Sequence, residues 1–218
     1  YTRRYTLSLH DALPISGRLL RLKQEYFFVS AGIQDIYRKY KKHKLNIHEL
    51  HKKVAIHIND THPALCVPEL MRILLDIEGL SWDEAWNITI NTISYTNHTI
   101  MAEAMEKWPV EMMKKLLPRI YMIVEEVNRR YLIYLNSKYS DQNKINRMSI
   151  INNGNINMAN LCIASSYSIN GVAKLHTTLL EREVLKDIYN DTPYKFNNKT
   201  NGIAHRRWLI SSNPELSE

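Results

Sequence analysis

Lys53-Val54-Ala55-Ile56-His57-Ile58-Asn59-Asp60-Thr61-His62-Pro63 carries a strand pattern that runs straight into a helix start. Val54, Ile56 and Ile58 alternate with their neighbours, and β-branched residues at period two make a strand. A polar knot follows, Asn59 to His62. Pro63 then stands where a first helical residue would, with Asp60 and Thr61 just upstream as caps. A strand feeding a capped helix delivers short polar side chains to the strand's carboxyl end, where open α/β sheets bind ligands.

Working outward, Leu19, Leu22, Tyr26, Val29, Ile33, Ile36 and Tyr40 fall at helical spacing and predict an amphipathic helix from about Arg18 to Lys42. Downstream of Pro63 a helix should run to about Glu78, where Gly79 ends it. Ser81 with Glu84 is a capping box that starts another helix, followed by an apolar run, Ile90 to Ser94, finishing as a short strand before Tyr95. Met101 to Met105 reads as helix, broken at Trp108-Pro109. Val110 to Lys115 gives a turn or two, and Pro118 opens a long helix to about Leu135. Lys138 to Arg147 is polar, and the Asn-rich stretch Ile150 to Asn157 reads as a loop. Met158 to Ser166 is expected helical, Ile169 to Val172 extended and His176 to Val184 helical. Tyr189 to Trp208 reads as a crossing segment outside the core. Helices alternating with short strands imply an α/β class, helix-rich.

The chain has 218 residues, 44% of them hydrophobic, enough for one sizeable core. Its net charge is +7, with a pI near 9.3. Much of the excess sits in Arg38 to Lys44 and Lys52-Lys53, and a basic run at a helix end is a solvated face favoured by the helix dipole. A basic helical nucleic-acid-binding module is the rival that this run suggests, but no stacking signature or zinc-finger spacing accompanies it. Cys66 and Cys162 lie far apart among apolar neighbours and read as two buried free thiols in a reducing compartment. Sequons at Asn59 and Asn97 fall inside polar knots, which favours an unglycosylated, cytoplasmic protein. No apolar run approaches the ~20 residues of a membrane span.

From the residues alone, Asp60, His62 and His98 suggest a metal-dependent hydrolase, because Asp-x-His with a distant His is a possible ligand set. The competing reading is polar groups at strand ends that bond one another and the backbone. Glu103 and Glu106 share a helical face, which usually means surface charge and not a glycosidase pair. No nucleophile elbow, phosphate loop or dinucleotide fingerprint occurs.

Two further polar knots lie at Tyr95-Thr96-Asn97-His98-Thr99 and at Asn198 to Ile203. Taken in order, KVAIHINDTHP (53–63), PELMRILLDIEGLSWDEAW (68–86), YTNHT (95–99), EKWPV (106–110), LPRIYMI (117–123), INMANLCIA (156–164), INGVAKLH (169–176) and KFNNKTNGI (195–203) together resemble the α-glucan phosphorylases of glycogen, maltodextrin and starch. The resemblance runs from about Leu20 to Glu218. It implies an internal piece of a longer enzyme: residues 17–199 as the later part of the Rossmann-like amino-terminal half of a two-domain glycosyltransferase-B fold, and 200–218 as the crossing into the second domain. Residues 1–16 match nothing in that pattern and read as a foreign leader of the kind left by an adapter or vector.

The resemblance also implies roles. His98 approaches the glucosyl unit that is cleaved, as the catalytic residue, and Asn201 holds hydroxyls of the same sugar. Asp60, His62 and Glu106 line the wall beside it, Val172 packs against the site, and Trp208 lies near the cofactor. Where animal relatives read NGITPRRW this chain has Ala204 and His205, and its Asn-rich loop is shorter. The implied chemistry is attack of orthophosphate on the terminal α-1,4 bond of an α-1,4-glucan to release glucose 1-phosphate. Pyridoxal phosphate assists through its phosphate, bound mainly by the second domain. No metal is implied, the parent would be a homodimer, and neither a nucleic acid nor a membrane is a partner. A piece with an uncovered sheet edge is expected to fold marginally and to be inactive alone.

Overall fold

The computed structural model describes residues 15–101 and 104–218. The long helix α1 (Ile15–Lys42) buries Leu22, Val29, Ile33 and Tyr40, the stripe that its spacing predicts. After the short α2 (Leu50–Lys53) comes β1 (Ile56–Asn59). Helix α3 (Cys66–Arg72) continues through a π-type turn at Ile73–Ile77 and stops at Gly79, whose φ of 69° is open to glycine at no steric cost. Helix α4 (Trp82–Thr92) opens on the Ser81/Glu84 capping box, with both reciprocal bonds made, and passes directly into β2 (Ile93–Thr96). Then follow β3 (Lys107–Pro109), α5 (Val110–Leu116), α6 (Pro118–Lys138) and α7 (Gln142–Met148). Next come β4 (Ile151–Asn152), β5 (Asn155–Asn157), α8 (Met158–Ser165) and β6 (Ser168–Gly171). Helices α9 (Lys174–Leu179) and α10 (Lys186–Asp191) lead to β7 (Phe196–Asn198), and α11 (His205–Ser212) and α12 (Pro214–Ser217) close the chain.

Strands β1, β2, β6 and β7 form one parallel sheet in that order. Its two faces differ sharply. One carries Ile58, Ile93, Tyr95 and Ile169, all at most 1% exposed, against which α8 packs, with α3 and α6 beyond. The other carries a row of polar residues tied across strands. Ser94 Oγ meets His57 Nδ1 at 3.0 Å, His57 Nε2 bonds Thr96 Oγ1, and Thr96 Oγ1 donates to Asn170 Oδ1 at 2.8 Å. All four strands point their carboxyl ends the same way, which is what assembles the site. The α/β class is therefore observed, with a helix-rich envelope over a parallel four-stranded sheet.

Several expectations need correction. Helix α3 starts at Cys66 and not at Pro63, because residues 62–65 form a hydrogen-bonded turn in which Ala64 N–H donates to Thr61 O and Cys66 N–H to Pro63 O. The helix expected at 101–105 is absent at Met105, a bend; residues 102 and 103, and with them Glu103, lie outside the described residues. Trp108-Pro109 does not merely break a helix but belongs to β3, which pairs antiparallel with β5. The Asn-rich loop is a hairpin, β4–β5, closed by Asn153 and Gly154 at φ 49° and 71°, the two positive values a type I′ turn demands. The polar stretch after Lys138 contains α7, capped by Asp141, whose side chain accepts from the Asn143 and Lys144 N–H groups. The segment read as a crossing supplies β7, a full member of the main sheet. Asn197 and Asn198 hid it, because their polarity breaks the apolar pattern of a strand.

Candidate functional site

Strands β1, β2 and β7 each end in a polar knot, and backbone bonds tie these to one another and to the end of β6. At the end of β1, Asp60 takes φ 67°, a left-handed conformation that Asp tolerates when its side chain bonds locally. Here Asp60 Oδ1 accepts the Thr61 N–H at 2.6 Å while Asp60 N–H donates to Thr96 O at 3.0 Å. At the end of β2, the fully buried Asn97 closes an Asx turn: its Oδ1 accepts the Thr99 N–H at 2.9 Å and its amide donates to Tyr95 Oη at 3.2 Å. That turn presents His98, an exposed residue whose Nε2 donates to Asn59 Oδ1. At the end of β6, Gly171 O accepts from Lys199 N–H and Val172 O accepts from Asn201 N–H, at 3.1 and 3.0 Å. Asn97 N–H reaches Asn170 O at 3.0 Å and so joins the β2 knot to the end of β6.

Beside these strand ends stands a charged wall. Arg21 of α1 donates to His62 Nδ1 at 3.1 Å and lies 3.0 Å from Glu25 and 3.6 Å from Glu106. His62 Nδ1 is also 3.8 Å from Glu106. The side chains of Glu25 and Glu106 are only 10% and 12% exposed, so two carboxyls share a nearly dry site with one guanidinium. Burial, with the Glu106 carboxylate beside it, pushes Glu25 up to about 8 against the pull of Arg21. A proton on Glu25 therefore neutralises half of the carboxyl pair at neutral pH.

Asp60, His62, His98, Val172 and Asn201 thus all sit at carboxyl ends of β1, β2, β6 and the segment after β7, with Glu106 beside them. Trp208 follows on α11, where it is 58% exposed. The ligand set Asp60, His62 and His98 is not assembled. Among the described residues the side chains close enough to share an ion are Glu25, His62 and Glu106, with donor atoms within 4.8 Å of one another. Arg21 already supplies the positive charge there. Two participants were invisible in the sequence. Arg21 and Glu25 look like any i, i+4 ion pair on a helix surface. Only the packing of α1 beside Pro63 and His62 reveals them.

The sequence profile of the carbohydrate phosphorylases matches residues 10–218. The chain belongs to the carbohydrate phosphorylase family. It is 56% identical over 214 residues to a glycogen phosphorylase of Bacillus subtilis (strain 168), covering 98% of this chain and 26% of that protein. It is 49% identical over 214 residues to the muscle form of glycogen phosphorylase of Mus musculus, covering 93% of this chain and 25% of the relative. The human muscle form is 48% identical over the same length. This phosphorylase segment spans about a quarter of the length of the curated relatives it matches. The profile begins at residue 10, inside the stretch 1–16 that reads as foreign to the family.

Proposed function

We propose that this chain is the later part of the Rossmann-like amino-terminal half of an α-1,4-glucan phosphorylase of glycosyltransferase-B type, and that its strand-end knots form one side of the glucosyl pocket. The complete cytoplasmic, homodimeric enzyme would release glucose 1-phosphate from non-reducing ends of glycogen or maltodextrin with orthophosphate. The observation that carries this reading is the family match running unbroken through every knot, at 56% identity to one relative.

In this reading His98 is the catalytic residue of the segment. Its Nε2 donates to Asn59, which leaves Nδ1 to meet a sugar hydroxyl as acceptor. Asn201, whose amide offers both a donor and an acceptor, reads neighbouring hydroxyls. A wrong sugar is rejected because it leaves these groups unpaired. Asp60, held left-handed by its own Thr61 bond, keeps the β1 end rigid, and Val172 closes the pocket from β6. His62, Glu106 and Arg21 form the outer wall. Carbonyl dipoles at strand ends stabilise the oxocarbenium-like charge that develops as the glycosidic bond breaks.

Pyridoxal phosphate supplies phosphate-mediated proton transfer in this chemistry. The residues described here do not fit its binding site. Lys195, the lysine whose pKa burial lowers, lies before β7, at the amino end of the sheet, and donates to Ile163 O at 3.3 Å. The cofactor would be held by the remainder of the enzyme, with Trp208 of this chain near it.

The test is to incubate the complete enzyme with a maltooligosaccharide and orthophosphate and follow products by phosphorus NMR. Glucose 1-phosphate that requires orthophosphate supports the proposal. Free glucose released without orthophosphate would support a hydrolase instead.

A further inference from the structure

We propose that His176 is a positioning residue of the sugar pocket, fixing the Val172 segment and through it the spacing between His98 and Asn201. The proposal rests on the phosphorolytic reading of the site. His176 lies on α9, the helix that follows β6, and its Nδ1 accepts the Val172 N–H at 3.1 Å. Val172 O accepts the Asn201 N–H at 3.0 Å. One residue thus has both backbone groups committed, one to the imidazole and one to the segment that carries Asn201.

The imidazole is wedged tightly. A Cβ on Gly171 would come within 3.0 Å of His176 Nδ1 and of Thr177 Cα, and closer still to Thr177 Oγ1. Glycine at the end of β6 is what allows this approach. The next residue anchors the helix that carries the ring: the single Thr177 hydroxyl proton is shared between Ala173 O at 2.9 Å and Asn198 Oδ1 at 3.1 Å. On the other side, Asn97 N–H bonds Asn170 O, so the turn that presents His98 hangs from the same strand end. A ring that sets Val172 therefore sets the distance between the two sugar-reading side chains.

The geometry works in one protonation state. Nδ1 must be an acceptor, so the proton sits on Nε2, which is buried without a hydrogen-bond partner. Burial holds His176 below the usual histidine range, with His98 reinforcing that and the Thr99 backbone opposing it. Among the described residues, His98 is the titratable group that faces it, while β6 and β7 present Asn170, Asn197 and Asn198, none of which ionises. As pH falls through this lowered value the ring gains a proton on Nδ1, and the Val172 N–H loses its acceptor.

The experiment compares His176→Asn and His176→Leu in the complete enzyme. The Asn carbonyl oxygen can stand where Nδ1 stands, whereas Leu cannot accept at all. Phosphorolysis at pH 7 should fall about ten- to hundredfold in kcat/KM for His176→Leu, since small misplacements of reacting groups cost that much. The KM for orthophosphate should hold. His176→Asn should recover most of the loss and, having no ring to protonate at that position, should fall less steeply than the wild type as pH drops through the lowered His176 value. Equal losses in both variants, or none in either, would overturn the proposal. Amide exchange of the peptide containing Val172, measured on the same enzymes, separates the two readings. His176→Leu should speed it about tenfold and His176→Asn should not, whether or not the protein releases glucose 1-phosphate. Unchanged exchange in His176→Leu would overturn the clamp on its own.

Discussion

Glu69 offers the sharpest test of how the helix α1 is held. Its side chain is completely buried and accepts four short bonds, from Tyr26 Oη and Ser30 Oγ at 2.9 Å and from Arg72 Nε and Nη2 at 2.8 Å each, with a longer fifth from Gln34 Nε2 at 3.5 Å. Tyr26 and Ser30 belong to α1, Arg72 to α3, so this one carboxylate joins the helix that carries Arg21 and Glu25 to the helix that follows β1. Glu69→Ala strands two hydroxyls, at about 1 kcal/mol each, and an ion-paired guanidinium, at about 1.5–3 kcal/mol. The sum agrees with the 3–5 kcal/mol that breaking one partner of a buried pair typically costs. Glu69→Gln keeps the shape and some acceptors and should cost about half as much. The pair is better probed by Glu69→Leu with Arg72→Met: removing both charges should cost less than Glu69→Leu alone. Urea unfolding followed by tryptophan fluorescence, with the slope unchanged, reads these differences. Burial raises the Glu69 pKa, but the bonds from Arg72, Ser30 and Tyr26 outweigh it and leave the group below its ordinary value. A lowered carboxyl stabilises the fold above its unfolded value and loses that contribution as pH falls through the folded one. The gap between wild type and Glu69→Gln should therefore close below about pH 4. A loss under about 1 kcal/mol for Glu69→Ala, or a double variant worse than the single, would mean that Glu69 does not hold α1 to α3.

Other positions give independent checks. Gly154 at φ 71° closes the β4–β5 turn, so Gly154→Ala should lower stability by about 1 kcal/mol, whereas Gly32→Ala, with open space at its Cβ, should not. Ser81→Ala removes the capping box of α4 and should cost about 1 kcal/mol in the same unfolding assay. Glu25 has the opposite sign from Glu69: its folded value of about 8 lies above its unfolded one, so stability is lost as pH rises between them. Glu25→Gln should accordingly gain on the wild type between pH 5 and pH 9, by roughly 1–3 kcal/mol at the top, and a parallel pH profile would contradict the raised Glu25 value.

Periodicity made α1, α6 and the β1 strand legible, because their apolar residues repeat at 3.6 or 2 against a polar background. It failed where short elements carry their own polar residues. β7 reads Phe196-Asn197-Asn198, and its strand identity comes from parallel pairing with β6 and not from its side chains. The Asn153-Gly154 turn was the opposite case: the local signal for a hairpin is present, but the flanking asparagines mask the strands it joins. At the site, the polar knots announce themselves in sequence because strand ends concentrate Asn, Asp, Thr and His. Arg21, Glu25 and His176 do not, since each is an ordinary helical residue until α1 and α9 are packed against the strand ends.

If these strand ends hold a glucosyl unit during phosphorolysis, His98 is the side chain whose loss should be felt first. His98→Ala, measured in the complete enzyme with a maltooligosaccharide and orthophosphate, should lower kcat/KM for glucose 1-phosphate release by at least about tenfold. Much of that loss should fall on kcat. The unfolding midpoint should stay put, since an exposed strand-end histidine bonded to Asn59 carries little packing. Unaltered phosphorolysis in His98→Ala would contradict the placement of the sugar at the carboxyl ends of β1, β2 and β6.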